Sequence, residues 1–414
     1  MNTPTQHKVN YKNSPVGLIP EDWEVKKFKD ILKEGKLGGN YENSEANEGV
    51  PVMKMGNLGR GVVNLNKIQF LPDNEKYNED DILKEGDLLF NTRNTLDLVG
   101  KVSMWRNELP FSLYNSNLMR MIFRVEDVGS NNFMNFAFNS HYLLSQLRGI
   151  ATGTTSVAAI YGKDLNKIKF LLPSKEEQTA IANCLSTWDK AIATQTQLIA
   201  QKELRKKALA NRLLTGNVRL KGFEKVKWVE KKADAIFRNN TDKTHNGELE
   251  ILSASQERGI VPRSSNNIDI KYDENSLVSY KKVEIGDYVI SLRSFQGGIE
   301  YSEYEGIVSP AYTILKEIIP ISKVFYKVYF KTETFINRLN TIIYGIRDGK
   351  QISFKDFATL KLPHPSIEEQ TAIAKVLQCA DEEIQLLKKK LQQLKDQKKG
   401  LMQVLLTGKK RLEF

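Results

Sequence analysis

The side chains best suited to chemistry in this chain are amides, hydroxyls and guanidines gathered in short polar stretches. A first series comprises Lys54, Asn57 and Arg60 among glycines, then Asn91-Thr92-Arg93-Asn94-Thr95, Asn115-Ser116-Asn117 and Gly153-Thr154-Thr155-Ser156. A second comprises Ser253, Ser255, Gln256, Arg258 and Arg263, then Arg293-Ser294-Phe295-Gln296-Gly297-Gly298, then Arg347 and Lys350-Gln351. Arginine pairs bidentately with guanine, and asparagine or glutamine with adenine. Serine, threonine and lysine also reach phosphates. Such residues read nucleic acid; they do not by themselves break bonds. Any one of them is equally an ordinary polar turn, and the two series gain their meaning as a set, from the duplication described below.

Catalytic patterns are missing. Glu24-Val25-Lys26 and Glu230-Lys231-Lys232 have the spacing of a nuclease acid–lysine triplet, but chance produces such triplets in a chain this rich in both types. Gly345-Ile346-Arg347-Asp348-Gly349-Lys350-Gln351 falls one residue short of a phosphate loop, and Gln351 stands where a hydroxyl would hold magnesium; it reads as a polar turn. His7, His141, His245 and His364 are scattered without metal-ligand spacing. Cys184 and Cys379 form no CxxC pair, which argues against a disulfide framework or zinc site and for a reducing compartment. No catalytic residue, metal or cofactor is expected on this chain.

The elements that position the polar series are announced by a repeat. Ser174-Lys175-Glu176-Glu177-Gln178-Thr179-Ala180-Ile181-Ala182 returns 192 residues later as Ser366-Ile367-Glu368-Glu369-Gln370-Thr371-Ala372-Ile373-Ala374. The offset holds without a gap to Leu213-Leu214-Thr215-Gly216 and Leu405-Leu406-Thr407-Gly408, and on to Arg219-Leu220 and Arg411-Leu412. Equal length implies equal structure. Ser174 with Glu177, and Ser366 with Glu369, predict helix-starting capping boxes. Gly216 and Gly408 predict left-handed helix ends. In the second copy Ile384, Leu387, Leu391, Leu394, Leu401 and Leu405 keep three- and four-residue steps, broken by Lys398. The first copy keeps the phase at Trp188, Ile192, Ile199, Leu209 and Leu213, with Gln195, Lys202 and Lys206 as interruptions. Two helices in one phase predict an antiparallel coiled coil.

The regions before each helix echo one another faintly. Trp228-Val229-Glu230-Lys231-Lys232 resembles Trp23-Glu24-Val25-Lys26-Lys27, and Gly286-Asp287-Tyr288-Val289-Ile290-Ser291-Leu292-Arg293 resembles Gly86-Asp87-Leu88-Leu89-Phe90-Asn91-Thr92-Arg93. Strands bounded by glycine turns are expected at Val50 to Met55 and Asp87 to Phe90, a helix at Phe133 to Leu147, and core positions for Trp23 and Trp228. The expected class is α+β: two similar mixed α/β domains separated by two long paired helices, with a pseudo-twofold internal repeat. The boundaries run as an arm at 1–13, a first variable domain at 14–173, a helix at 174–220, a second variable domain at 221–365 and a final helix at 366–414.

With 414 residues there is ample material for several cores, and the net charge of +11 at a pI near 9.2 suggests a polyanionic partner. No apolar run has the length of a membrane span and the first residues lack a signal-peptide core, so a cytoplasmic protein is expected.

The chain resembles the specificity subunit of type I restriction-modification systems over almost its whole length. The most specific match is Leu-Pro, then Glu-Glu-Gln-Thr-Ala-Ile-Ala, then a long helix ending Leu-Leu-Thr-Gly, present twice. Ile19-Pro20-Glu21-Asp22-Trp23, Asp87 to Arg93 and Leu292 to Tyr301 add to it. The resemblance implies a non-catalytic subunit with two target recognition domains, each reading half of a bipartite site on double-stranded DNA. The helices would set the spacer and dock two methyltransferase subunits, joined by motor-nuclease subunits. S-adenosylmethionine, ATP and magnesium would belong to those partners. Glu176, Glu177, Gln178, Ile181, Glu368, Glu369, Gln370 and Ile373 are the expected partner contacts, although the glutamates also serve as caps. A divergent metal-dependent nuclease and a coiled-coil scaffold without DNA binding are the alternatives.

Overall fold

A computed structural model describes residues 10–412, with residues 16, 43, 46–47, 266–273, 293 and 343–351 excepted. The chain forms two compact units, one from residues 1–195 and 390–414 and the other from residues 196–389. Both are mixed α and β, and both long helices, Lys175–Leu214 and Ile367–Leu405, contribute residues to each unit.

In the first unit four antiparallel strands are ordered Leu32–Leu37, Leu118–Phe123, Leu88–Asn91, Val102–Met104. In the second the order is Phe237–Asn240, Thr313–Glu317, Tyr288–Ile290, Glu300–Tyr301. The order is the same in both. The Gly-Asp echo explains the corresponding turns: Gly86 and Gly286 adopt φ of +88° and +99°, which glycine tolerates best. Asp87 Oδ2 then accepts from Lys84 N–H, and Asp287 Oδ2 from Glu284 N–H, both at 2.9 Å. A shorter ladder pairs Glu24–Lys27 with Lys169–Leu172 and, in the other unit, Val229–Lys232 with Lys361–His364.

Residues Phe133 to Leu147 were expected as one helix. They form two, Asn131–Phe138 and His141–Ile150, because Ser140 takes the N-cap and accepts from Leu143 N–H. The second unit repeats the break with Lys323–Tyr329 and Glu333–Thr341, capped by Ser322 and Thr332. The 192-residue offset therefore reaches back to the caps Ser130 and Ser322. Apolar residues of the helix pair, the central sheet and the segments around them fill each core, with Phe28, Phe90, Phe133, Phe138 and Phe170 in one, and Phe237, Tyr288, Tyr326, Phe330 and Phe335 in the other.

The long helices start and stop for visible reasons. Ser174 Oγ accepts from Glu177 N–H at 3.2 Å and Ser366 Oγ from Glu369 N–H at 3.3 Å. The other half of each expected box is not made, since the Glu177 and Glu369 carboxylates turn inward. Gly216 and Gly408 end the helices at φ of +73° and +70°. A Cβ on Gly216 would also press to 3.2 Å from the Trp228 ring, and one on Gly408 to 2.4 Å from Pro20.

The lysines that interrupt the apolar seam all reach the other helix. In the first unit Lys398 pairs with Asp189 at 2.5 Å and lies 5.0 Å over the Phe136 ring. In the second, Lys206 pairs with Asp381, Lys202 with Glu383 at 2.5 Å, and Glu203 with Lys388 at 2.6 Å.

Candidate nucleic-acid interface

The first polar series is brought together by backbone pairing. The short strand Arg93–Asn94 lies beside Ala158–Ala159, which pairs in turn with Thr152–Gly153. Leu96 N–H donates to Thr155 O at 3.2 Å, closing the 93–96 segment onto the 152–157 loop. Thr92 donates to Asn117 O through both its N–H and its hydroxyl, at 3.0 and 2.9 Å, and so adds the third loop. Arg93, Thr154 and Thr155 are exposed, while Asn94 and Asn117 are half-buried. Arg60 joins from the other side, donating from Nη2 to Asp97 O at 3.0 Å.

Two asparagines expected at the DNA are instead enclosed. Asn57 is 3% exposed; its Oδ1 accepts from Lys54 N–H and its Nδ2 donates to Asn64 O and Asn66 O, so it holds the 54–66 turn together. Asn91 is fully buried at the end of a core strand, with Oδ1 accepting from Arg93 N–H. Neither offers a polar atom to a base edge; composition and spacing could not separate them from exposed polar residues such as Arg93. Lys54 is half-buried and donates from Nζ to Gln69 Oε1 at 2.6 Å.

In the second unit the Gln256 turn meets the short helix Ser294–Gly297. Gln256 packs so close to Gly297 that a Cβ there would stand 2.9 Å from its Cγ. Lys331 spans both, donating from Nζ to Gly297 O at 2.9 Å while pairing with the buried Glu300 at 2.6 Å. Burial, opposed by Lys331, raises the Glu300 pKa above the usual carboxylate range. Lys331 belongs to no motif and was not legible in the sequence. Gln256, Arg258 and Gln296 are exposed, and Arg263 is half-buried at the end of strand Gly259–Pro262. Ser294 is enclosed and accepts from Ser291 N–H at 2.9 Å, which makes it a turn-former. Arg293, Arg347, Lys350 and Gln351 lie outside the described residues, as does the near-miss phosphate loop beyond Ile342.

Among the described residues no three His, Cys, Asp or Glu side chains are grouped to hold a metal ion, and no helix is long and apolar enough to cross a membrane.

Comparison with known proteins bears on this arrangement of duplicated scaffold and differing loops. The family model of the type I restriction modification DNA specificity domain matches twice, over residues 20–203 and 216–396. The chain belongs to this specificity family. A Methanocaldococcus jannaschii protein named for the specificity subunit of the type I restriction enzyme MjaX is 27% identical, with 98% of this chain and 97% of that one aligned. The MjaVIII specificity subunit of the same organism is 33% identical over 53% of this chain and 51% of its own length. Among solved structures, the type I S subunit of M. genitalium matches with a TM-score of 0.52 at 16% identity, covering 100% of this chain and 99% of that chain. A chain from a structure describing complex assembly and conformational transition of the type I R-M system matches with a TM-score of 0.61 at 14% identity, covering 94% and 99%. These two show a shared fold.

The repeated helix start of this specificity protein turns out to be an internal fastening. Glu177 is 1% exposed and Glu369 fully buried. Trp23 Nε1 donates to Glu177 Oε2 at 3.0 Å and Trp228 Nε1 to Glu369 Oε2 at 2.9 Å. The arginine that trails the opposite helix completes each cluster. Arg411 donates to both Glu177 oxygens, at 2.5 and 2.6 Å, and Arg219 to both Glu369 oxygens at 2.7 Å. Such bidentate pairs are the strong ones. Gln178 Nε2 donates to Asp127 O and Pro173 O, and Gln370 Nε2 to Pro365 O. Ile181 and Ile373 are core residues. Six of the eight residues expected at a partner are therefore taken up inside their own unit. Only Glu176 and Glu368 are exposed; the backbone and the serine caps hold their carboxyls below the usual range.

Proposed function

We propose that this chain is the non-catalytic, sequence-specific DNA-binding subunit of a type I restriction-modification complex. Each unit reads one half of a bipartite duplex site. The observation that carries the reading is one scaffold built twice with different loops. The four-strand order, the broken helix pair and the Trp-Glu-Arg cluster recur, while the polar residues at the loops do not. A protein selected to read two different short sequences needs that combination.

The long helices act as an antiparallel coiled coil with pseudo-twofold character that sets the spacer. In support, Asp189–Lys398 becomes Asp381–Lys206 when each number is shifted by the repeat length, and Glu177–Arg411 becomes Glu369–Arg219 in the same way. One register thus satisfies two pairs of ion pairs. Methyltransferase subunits dock on the helices and units, motor-nuclease subunits join them, and the complex works in the cytoplasm. S-adenosylmethionine, ATP and magnesium serve those partners.

Purification of the chain with and without its modification subunits tests this. Salt-dependent binding to a bipartite duplex and methylation only with the partners are expected. Metal-dependent cleavage by the chain alone would favour a nuclease, and assembly without any DNA binding a scaffold.

Docking separates from folding at the helix starts. Glu176→Lys with Glu368→Lys is expected to weaken assembly with modification subunits several-fold while lowering the unfolding midpoint only slightly, because both side chains are exposed and the fold loses only their favourable place at a helix N-terminus. Assembly at wild-type strength would show that these carboxylates only favour the helix N-termini.

A further inference from the structure

We propose that Arg60, Lys101 and Arg148 form a phosphodiester-binding cradle beside the loops of the first unit, gripping the DNA backbone without reading its sequence. The inference rests on the DNA-binding reading above and names the part of the polyanion that this site takes.

Three separate chain segments converge there. Gly61 N–H donates to Val102 O at 2.8 Å, which sets Arg60 beside Lys101. Gly100, at φ +73°, lets the helix His141–Ile150 come close: a Cβ on it would lie 3.0 Å from Ile160 and 3.5 Å from Leu147. That contact brings Arg148, the residue after Leu147, to the same place. Arg60 is held by Asp97 O through Nη2, and its buried Nη1 has no hydrogen-bond partner in the protein. Among the described residues none of the three cations has a carboxylate partner, although ion pairs are plentiful elsewhere in the chain.

Cations gathered without acids repel one another and have no structural reason to meet. Burial, then Arg148, lowers the Arg60 pKa, and burial, then Arg60, lowers that of Lys101. Both effects disfavour charge in the free protein, and an anion opposite the cations offsets them by pairing. The anion must be one that lies along a surface, because three cations on three segments match successive phosphates better than one small ion. Position also selects the backbone over the bases. Arg60 reaches the turn that follows Arg93-Asn94, and Arg148 stands at the end of the helix that leads into Thr152–Gly153. The exposed tips Arg93, Thr154 and Thr155 are thus left for base edges while the cradle fixes the register, as phosphate contacts do.

The test is the salt dependence of DNA binding by the chain assembled with its modification subunits, measured on cognate and half-site-scrambled duplexes. Arg148→Gln and Lys101→Gln are each expected to reduce the slope of log affinity against log salt by about 0.9, and the triple variant with Arg60→Gln by about 2–3. Affinity should fall equally on both duplexes, so the preference stays. Arg148 is exposed, so its single variant is informative even if Arg60→Gln fails to fold. An unchanged slope in folded Arg148→Gln and Lys101→Gln would overturn the cradle, and so would a loss confined to the cognate duplex. If the wild-type complex itself showed no salt-dependent binding, the DNA-binding reading beneath the proposal would fall instead.

Discussion

Arg219→Ala is expected to unfold the unit formed by residues 196–389 at far milder denaturant than the wild type, with a loss of about 3–5 kcal/mol. Glu369 is fully buried, and Arg219 neutralises it through two bonds of 2.7 Å while lying 5.4 Å over the Trp228 ring. Removing the guanidinium leaves a buried carboxylate with only the Trp228 N–H. A second change, Glu369→Gln, should recover part of the loss, since a neutral amide still accepts from Trp228 and no longer carries an unpaired charge. Arg411→Ala should do the same to the unit of residues 1–195 and 390–414 through Glu177, although Asp22, which also binds Arg411 at 2.9 Å, is more exposed and adds little. Urea unfolding followed separately by Trp228 and Trp23 fluorescence, with the other tryptophans replaced, checks both. Losses below about 1 kcal/mol would show that the clusters behave as surface pairs.

Adding one heptad to both long helices is expected to lengthen the preferred spacer by about three base pairs and to leave both half-site sequences unchanged. Seven helical residues add about 10 Å, and base pairs stack about 3.4 Å apart. A heptad keeps the apolar seam in phase. Four inserted residues would shift it and should disrupt the pairing instead. Three extra base pairs also rotate one half-site by more than a quarter turn, since a DNA turn takes about 10.5 base pairs. Methylation is therefore expected to weaken even at the fitting length. Methylation sequencing with the extended protein reads the new spacer directly, and retention of the original spacer alone by a folded, assembled protein would refute the ruler.

The helices were legible because their signals are local and strong: serine caps, glycine ends and a seam of mostly leucine and isoleucine that keeps its phase across a few polar interruptions. The duplicated sheet was legible only as an echo, Gly86-Asp87 against Gly286-Asp287, because its turns need those residue types while its strands need only apolar ones. The interior of the helix start was not legible. Glu177 and Glu369 look like surface glutamates, and only the arginines trailing the opposite helix, far away in sequence, show that they are buried and paired. Arg219 and Arg411 were visible as part of the repeat, but nothing nearby named their partner. The loop residues divide in the same way. Asn91 and Arg93 are two positions apart and both polar, yet Asn91 ends a fully buried strand of the central sheet while Arg93 opens the short strand Arg93–Asn94 of another sheet and is exposed. Lys101 and Arg148 lie in no motif at all; a backbone bond from Gly61 to Val102 brings the first to Arg60, and the close packing of the helix His141–Ile150 at Gly100 brings the second.

The central claim is that two units of one chain read two separate sequences. Sequencing of methylated positions in a strain carrying this chain and its methyltransferase, before and after replacement of Thr92 to Thr95 by alanines, tests it most directly. A bipartite target with an unread spacer is expected first. The replacement should then relax or abolish one half, at a cost on the order of 1–3 kcal/mol per lost bidentate contact, while the other half and the spacer stay as they were. A continuous target, or a replacement that altered both halves alike, would contradict the account.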